Sequence, residues 1–125
     1  MKTTIIIVLC ITFLYEISYA QKRFDLTQIP SPIIIQGNDS TAYRDPAILF
    51  HNNKFHLFYT VTKIERDSIW SYTAQSESED LIRWTPPHPI TPRSQLLNYS
   101  SPGNVIRYNN EWILCLQTYL RPNYT

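Results

Sequence analysis

Apolar and polar residues begin to alternate about a third of the way along the chain, and the alternation predicts β-strands. Residues 47–50 form a short apolar run, and residues 55–62 carry aromatic or aliphatic side chains at every second position. Asn52 and Asn53 lie in the turn between these runs, and asparagine tolerates the positive φ angles of tight turns. The pattern predicts a β-hairpin.

The second strand of this hairpin has bulky side chains on both faces. Side chains at alternate positions share a face, which gives two sets: Phe55, Leu57, Tyr59 and Val61 on one, and His56, Phe58, Thr60 and Thr62 on the other. Aromatic residues occur in both sets, so we predict that the strand is covered on both sides.

Two further strands are predicted after the hairpin. The charged residues 63–67 indicate an exposed loop, and residues 69–75 indicate a third strand. Residues 81–85 predict a short fourth strand or sheet edge. A helix start is the alternative there, but the two prolines that follow leave no room to extend it. The proline-rich residues 86–102 predict a connection.

The first twenty residues have the layout of a secretory signal peptide. A short basic start precedes an apolar run at 5–14, and Ser18-Tyr19-Ala20 places small residues before a cut ahead of Gln21. The alternative is a membrane anchor, but the run is shorter than the roughly 20 apolar residues that a spanning helix needs. We expect a secreted or periplasmic chain of residues 21–125 with no membrane attachment, beginning with an edge strand near residues 33–35.

The net charge and the aromatic content limit the kinds of partner that the chain is expected to bind. The formal charge of +1 gives no electrostatic case for nucleic acid or an anionic membrane, so neutral partners fit better. Aromatic residues make up 14% of the chain; they are able to stack on sugars but serve equally well as cladding of a sheet. Cys115 is the one cysteine left after cleavage, so no internal disulfide is expected, and its apolar neighbours predict a buried thiol.

Three segments match the acceptor pattern for N-linked glycans. They are Asn38-Asp39-Ser40, Asn98-Tyr99-Ser100 and Asn123-Tyr124-Thr125. The pattern is short and common, so the sequence alone gives it little weight.

An internal repeat organises the chain. Residues 48–57 align without a gap on residues 105–114, an offset of 57 residues that places Asn52 and Asn53 on Asn109 and Asn110. A repeat of this length with about four strands is typical of a β-propeller blade. We predict an all-β fold with one blade at about 43–85 and the start of a second at about 103–119. The alternative is a small antiparallel sandwich with two similar hairpins.

Several motifs in series carry a resemblance to a known family. They are Arg44-Asp45-Pro46, Leu57-Phe58-Tyr59-Thr60, Ser78-Glu79-Asp80-Leu81-Ile82-Arg83-Trp84 and Ser101-Pro102-Gly103-Asn104-Val105-Ile106. Together they resemble the five-bladed propeller glycoside hydrolases, namely the arabinanase and β-xylosidase group (family 43) and the related fructan-cleaving invertases. The resemblance covers residues 43–119, about the first third of such a domain, and implies a carbohydrate substrate.

The resemblance assigns a role to Asp45. Glycoside hydrolysis generally uses two carboxyl groups astride the bond. The first-blade aspartate of the family is the catalytic base or the nucleophile, so Asp45 would be that residue. Pro46 would restrict Asp45 to extended geometry, and Arg44 would hold the charge or contact a sugar hydroxyl. The alternative is a turn-opening aspartate. In the gapless alignment Asp45 falls on Pro102, which makes the carboxylate particular to the first unit.

The other catalytic groups of the family are not expected in this chain. The general acid and second aspartate of the family would lie in later blades, so we expect the 125 residues to be an inactive N-terminal fragment of an enzyme. The histidines show no metal-ligand spacing and no cofactor is expected; His56, inside a strand, is predicted to be structural. The alternative function is a non-catalytic carbohydrate-binding or interaction domain.

Overall fold

The computed structural model of the chain describes residues 24–29, 35–93 and 96–120. These parts contain no α-helix, only a short 3-10 helix at Leu26–Gln28 and eight strands. The strands are β1 (Thr41–His51), β2 (Lys54–Glu65), β3 (Ser68–Ser78), β4 (His88–Pro89), β5 (Leu97–Ser100), β6 (Val105–Tyr108), β7 (Glu111–Leu114) and β8 (Gln117–Leu120). The predicted all-β class is confirmed.

The first four strands form one antiparallel sheet in the order β1-β2-β3-β4. The predicted turn between β1 and β2 is confirmed, because Asn52 and Asn53 have φ angles of 51° and 60°. The loop predicted at residues 63–67 is confined to an exposed turn at 66–67, and the prediction is wrong for 63–65, because β2 continues to Glu65 and pairs with β3. Its charges are tolerated there because Glu65 forms ion pairs with Lys63 and Arg93.

The core lies on one face of β2 and β3. Its buried hydrophobic residues are Leu57, Tyr59, Val61, Tyr72 and Ala74, and Ile35, Tyr43 and Trp84 pack against them. Three of the four residues predicted to share one face of β2, namely Leu57, Tyr59 and Val61, therefore lie in this core. On the opposite face Thr60 is completely buried, while its neighbours Phe58 and Thr62 are half-buried. Both faces of β2 are therefore covered, as its pattern predicted, but the second cover is polar.

The predicted fourth strand at residues 81–85 is wrong, and so is its helical alternative. Asp80 Oδ1 accepts hydrogen bonds from the backbone N–H groups of Ile82 and Arg83 at 2.9 and 2.8 Å, and Ser78 Oγ accepts from those of Asp80 and Leu81. Side-chain acceptors of this kind compete with regular secondary structure and favour a loop. The fourth strand is β4, so the predicted connection at 86–102 contains β4 and β5.

The repeated hairpin is confirmed. β6 and β7 pair around Asn109 and Asn110, whose φ angles are 47° and 64°, in the same register as the β1–β2 turn. β5 pairs with β8. The prediction of a buried Cys115 is wrong: this cysteine is exposed between β7 and β8, where little of the described chain covers the apolar side chains.

Two predictions fall largely outside the described residues. The signal peptide at residues 1–20 lies outside them, as does most of the edge strand predicted near residues 33–35; Ile35 itself lies in a bend. In the described parts no helix has the length and apolar character to cross a membrane.

Candidate functional site

Asp45 lies in a β-bulge of β1. Arg44 pairs with Thr60 and Ala47 pairs with Phe58, so Asp45 and Pro46 together lie opposite Tyr59. The φ angle of Asp45 is 55°, in the left-handed region. The expected extended geometry is wrong, because the extra residue of the bulge needs a local reversal and aspartate is among the few residues that tolerate one. The bulge turns Asp45 out of the regular strand pattern.

Two hydroxyl groups hold one oxygen of the Asp45 carboxylate. Thr60 Oγ1 donates to Oδ2 at 3.0 Å, and Ser101 Oγ donates to the same oxygen at 3.3 Å. Within the described residues no hydrogen bond engages Oδ1, and the side chain is 38% exposed. The carboxylate is therefore held at Oδ2 and stays partly accessible to solvent.

Thr60 connects Asp45 to the second half of the chain. Its buried hydroxyl accepts the backbone N–H of Ser101 at 2.7 Å while donating to Asp45. Because the hydroxyl oxygen of Thr60 accepts the N–H of Ser101, the hydroxyl proton is directed at the Asp45 carboxylate. The sequence motifs include Thr60 and Ser101 but give them no role at Asp45. The register of β1 on β2 brings Thr60 to Asp45, and the hydrogen bond to Thr60 brings Ser101 there.

Ser101 is the structural counterpart of Asp45 in the second unit. Both residues precede a proline, and both have left-handed backbones, with φ angles of 47° for Ser101 and 55° for Asp45. The gapless alignment placed Pro102 opposite Asp45, whereas the backbone conformation and the following proline match Asp45 with Ser101. The X-Pro corner therefore occurs twice, with a carboxylate in the first unit and a hydroxyl in the second. The recurrence of a residue before proline was the available sequence signal for Ser101.

Arg44 lies beside Asp45 at the rim of the site. Its Nε is 3.6 Å from Asp45 Oδ2, and about half of its side chain is exposed. At this separation and exposure the ion pair contributes little to stability. Its guanidinium is accessible to a polar ligand, and the predicted contact with a sugar hydroxyl stays a prediction.

Other carboxylates in the described residues are held as charged groups. The hydrogen bond from Lys63, followed by that from Arg93, lowers the pKa of Glu65, and the hydrogen bond from Lys54 lowers the pKa of Glu77. The backbone N–H groups of Arg83 and Ile82 hold the pKa of Asp80 well below its usual value. A general acid needs a raised pKa, so none of these three carboxylates suits that role.

A cavity lies elsewhere in the described part of the fold. It has a volume of about 360 Å³ and is formed where the 79–85 loop meets the start of β2. Its lining residues are Lys54, Glu77, Ser78, Glu79, Asp80, Arg83, Trp84 and Thr85. Lys54 pairs with Glu77 at 3.1 Å, and the Asp80 carboxylate binds its own loop. The charged groups around this cavity are therefore already paired with one another or with the backbone. For this reason we place the candidate site at Asp45 and not at the cavity.

The contacts of His56 confirm the prediction that it is a structural residue. Its Nδ1 lies 3.0 Å from Gln75 Nε2 and 3.4 Å from Glu77 Oε1. Across the described residues, no three histidine, cysteine, aspartate or glutamate side chains cluster as metal ligands would.

Comparison with known proteins adds no relative. A scan against protein-family models, a search of curated proteins and a search of solved structures each found no match to this chain.

Proposed function

We propose that this chain is the N-terminal part of an exported glycoside hydrolase of the five-bladed propeller type, in which Asp45 is the catalytic base or the nucleophile. The observation that carries the proposal is the state of the Asp45 carboxylate. Oδ2 is oriented by Thr60 and Ser101, no described residue donates to Oδ1, and the side chain is 38% exposed. A base or nucleophile needs an aimed carboxylate with an accessible oxygen.

The backbone at Asp45 adds independent support. A left-handed conformation at a residue other than glycine costs of order 1–3 kcal/mol, and such residues cluster at functional sites. A turn-opening aspartate would need only local contacts. Asp45 instead contacts Ser101, which lies 56 residues away.

The sheet supports the blade interpretation. β1 to β4 follow one another as an antiparallel meander, and the repeated hairpin of β6 and β7 begins directly after the second X-Pro corner. A propeller blade is a four-stranded sheet of this kind. With β4 included, the first blade would extend to about residue 89.

The proposed enzyme also needs a general acid, and three carboxylates of the described residues do not suit that role. Glu65, Glu77 and Asp80 are ionised groups engaged with cations or backbone N–H groups. Hydrolysis requires both carboxyl roles. We therefore expect the 125 residues alone to contact glycans without cleaving them.

The test is an NMR titration of the chain with arabino-, xylo- and fructo-oligosaccharides, with a parallel assay of reducing-sugar release. We expect amide shifts at Arg44, Asp45 and Ser101, and no release. Asp45→Asn should weaken binding about tenfold or more, since a hydrogen bond to a charged group is worth about 1.5–3 kcal/mol. Asp67→Asn, an exposed turn aspartate, is the matched control.

Three other outcomes have distinct meanings. Turnover by the chain alone would contradict the incomplete-site proposal. Shifts confined to the exposed aromatic residues Tyr108, Trp112 and Tyr119 would favour a glycan-binding domain without a catalytic role. The absence of shifts with all three glycan classes would contradict both functions.

A further inference from the structure

Two of the three glycan-acceptor motifs lie within the described residues, and their environments differ. Asn38 is exposed in a turn, Asn98 is buried in β5, and Asn123 lies outside the described residues. Identical motifs therefore differ in access to the amide nitrogen that carries an N-linked glycan. The question does not depend on the proposed catalytic role of Asp45 and shares with the proposed function only the export of the chain.

The Asn38 turn has a fixed shape. Asn38 and Thr41 exchange backbone hydrogen bonds, with Asn38 N–H donating at 2.8 Å and Thr41 N–H donating at 3.2 Å. Ser40 O accepts from the Ile64 N–H at 2.8 Å, which attaches the turn to β2. A Cβ at position 37 would clash with the Thr41 carbonyl oxygen, so Gly37 is required there.

Within this turn the Asn38 side chain is oriented by the serine of its own motif. Its Oδ1 accepts the Ser40 backbone N–H at 2.9 Å and the Ser40 hydroxyl at 3.0 Å. Oδ1 is thus occupied, while the Nδ2 of the exposed side chain forms no hydrogen bond to any described residue. The motif's hydroxyl and its amide are thus already in contact, with the nitrogen accessible.

Asn98 has the opposite arrangement. Its residue is 2% exposed, and its Oδ1 accepts the buried backbone N–H of Ser71 at 2.9 Å. A glycan on Nδ2 would have to pass through the packing between β5 and β3. The folded chain has no room for a modified Asn98.

We propose that Asn38 is an N-glycosylation site and that Asn98 is not modified in the folded protein. The donor class is an oligosaccharide linked to a lipid through pyrophosphate, and the catalyst is an oligosaccharyltransferase of the export pathway. Asn38 Nδ2 forms a bond to the anomeric carbon of the first sugar. The bond from that carbon to the pyrophosphate oxygen breaks, the lipid pyrophosphate leaves with the electron pair, and one amide proton passes to a transferase base.

The test is translation of the chain, with residues 1–20 replaced by an efficient secretory leader, in the presence of endoplasmic-reticulum microsomes. Asn123→Gln in every variant removes the third motif. Protease-protected chains are scored for a glycan-sized mass increase that a peptide N-glycosidase removes. Site occupancy is then mapped on the soluble, folded fraction through the deamidation left at each former glycan site.

We expect one glycan, at Asn38, and none at Asn98. Asn38→Gln and Ser40→Ala should both abolish the mass shift, while Ser40→Thr should retain it because threonine keeps the hydroxyl. Unmodified Asn38 in protected chains overturns the proposal. A glycan at Asn98 in the folded fraction also overturns it, since the buried contact with Ser71 could not then exist.

Discussion

At the scale of single residues, the orientation of Asp45 depends on hydroxyl groups distant in sequence. Its left-handed backbone costs of order 1–3 kcal/mol, and hydrogen bonds to a charged acceptor contribute about 1.5–3 kcal/mol. The two effects are comparable in size. Loss of the hydroxyl contacts of Thr60 and Ser101 therefore leaves the strained backbone without compensation.

Replacing Thr60 by valine tests this arrangement. Valine keeps the shape and β-propensity of threonine, but the Ser101 N–H and Asp45 Oδ2 both lose a partner. We expect the free energy of unfolding to fall by about 1–3 kcal/mol, as for a buried donor left unsatisfied. Urea unfolding midpoints, at an unchanged m value, measure the loss.

Thr62→Val is the matched control on the same face of β2. Thr62 is half-buried, and its hydroxyl lies 3.3 Å from Ser71 Oγ, so its removal should cost less. Equal losses for the two variants would show that the Thr60 hydroxyl has no special part in holding Asp45.

At the scale of elements, the two hairpins share one turn chemistry. Each places two asparagines at positive φ, Asn52 and Asn53 in the first and Asn109 and Asn110 in the second. Two-residue hairpin turns of this kind need left-handed backbones at both positions, because only then does the turn match the strand twist.

Substitutions at Asn53 should separate backbone preference from side-chain contact. Its φ of 60° suits glycine, so Asn53→Gly should change the unfolding free energy by no more than a few tenths of a kcal/mol. Asn53→Val should lower it by about 1–2 kcal/mol, the cost of a left-handed conformation for an ordinary residue. Thermal or urea unfolding measures both. Equal stability of the valine and glycine variants would contradict a left-handed turn.

The hairpins were predictable because their determinants are local. Alternation and a pair of asparagines specify both strands and the turn. The bulge at Asp45 was not predictable in this way, since it depends on how β1 aligns with β2. The loop at Asp80 was missed because its acceptors, Ser78 and Asp80, also occur in helix caps and strand ends.

At the scale of the whole molecule, several ionised carboxylates stabilise the fold. The pKa of Glu65 is lowered first by its hydrogen bond from Lys63, that of Glu77 by Lys54, and that of Asp80 by the N–H groups of Arg83 and Ile82. A pKa that is lower in the folded state contributes stability above the unfolded-state value. That stability is lost as the pH falls through the folded-state value.

We expect the wild-type chain to lose stability as the pH falls below about 4.5, the ordinary range of these carboxyl groups. Asp80→Asn should be less stable at pH 7 but should decline less steeply on acidification, because asparagine cannot be protonated there. Urea midpoints at pH 7, 5, 4 and 3 provide the measurement. Asp67→Asn, in the exposed β2–β3 turn, should keep the wild-type slope; the same slope in Asp80→Asn would contradict the prediction.

The candidate site was partly predictable from the sequence. Asp45 and Arg44 stand out next to Pro46 in a recognisable motif. Thr60 does not, because threonine is common in β-strands and only strand pairing brings it to Asp45; the one signal for Ser101 is the proline that follows it. The exposed position of Cys115 also follows from tertiary placement, since its apolar neighbours lie on strands with little cover.

The hydrogen bond from Ser101 to Thr60 joins groups 41 residues apart. Closing so long a loop carries a larger entropic cost than closing the β1–β2 hairpin, whose turn has two residues. Local hairpins also close within microseconds. The hairpin therefore positions Thr60 beside β1 early in folding, and the contact between Thr60 and Ser101 forms later. Asp45 reaches its final orientation only when the second corner docks, so the geometry of the proposed catalytic group is a late event in folding.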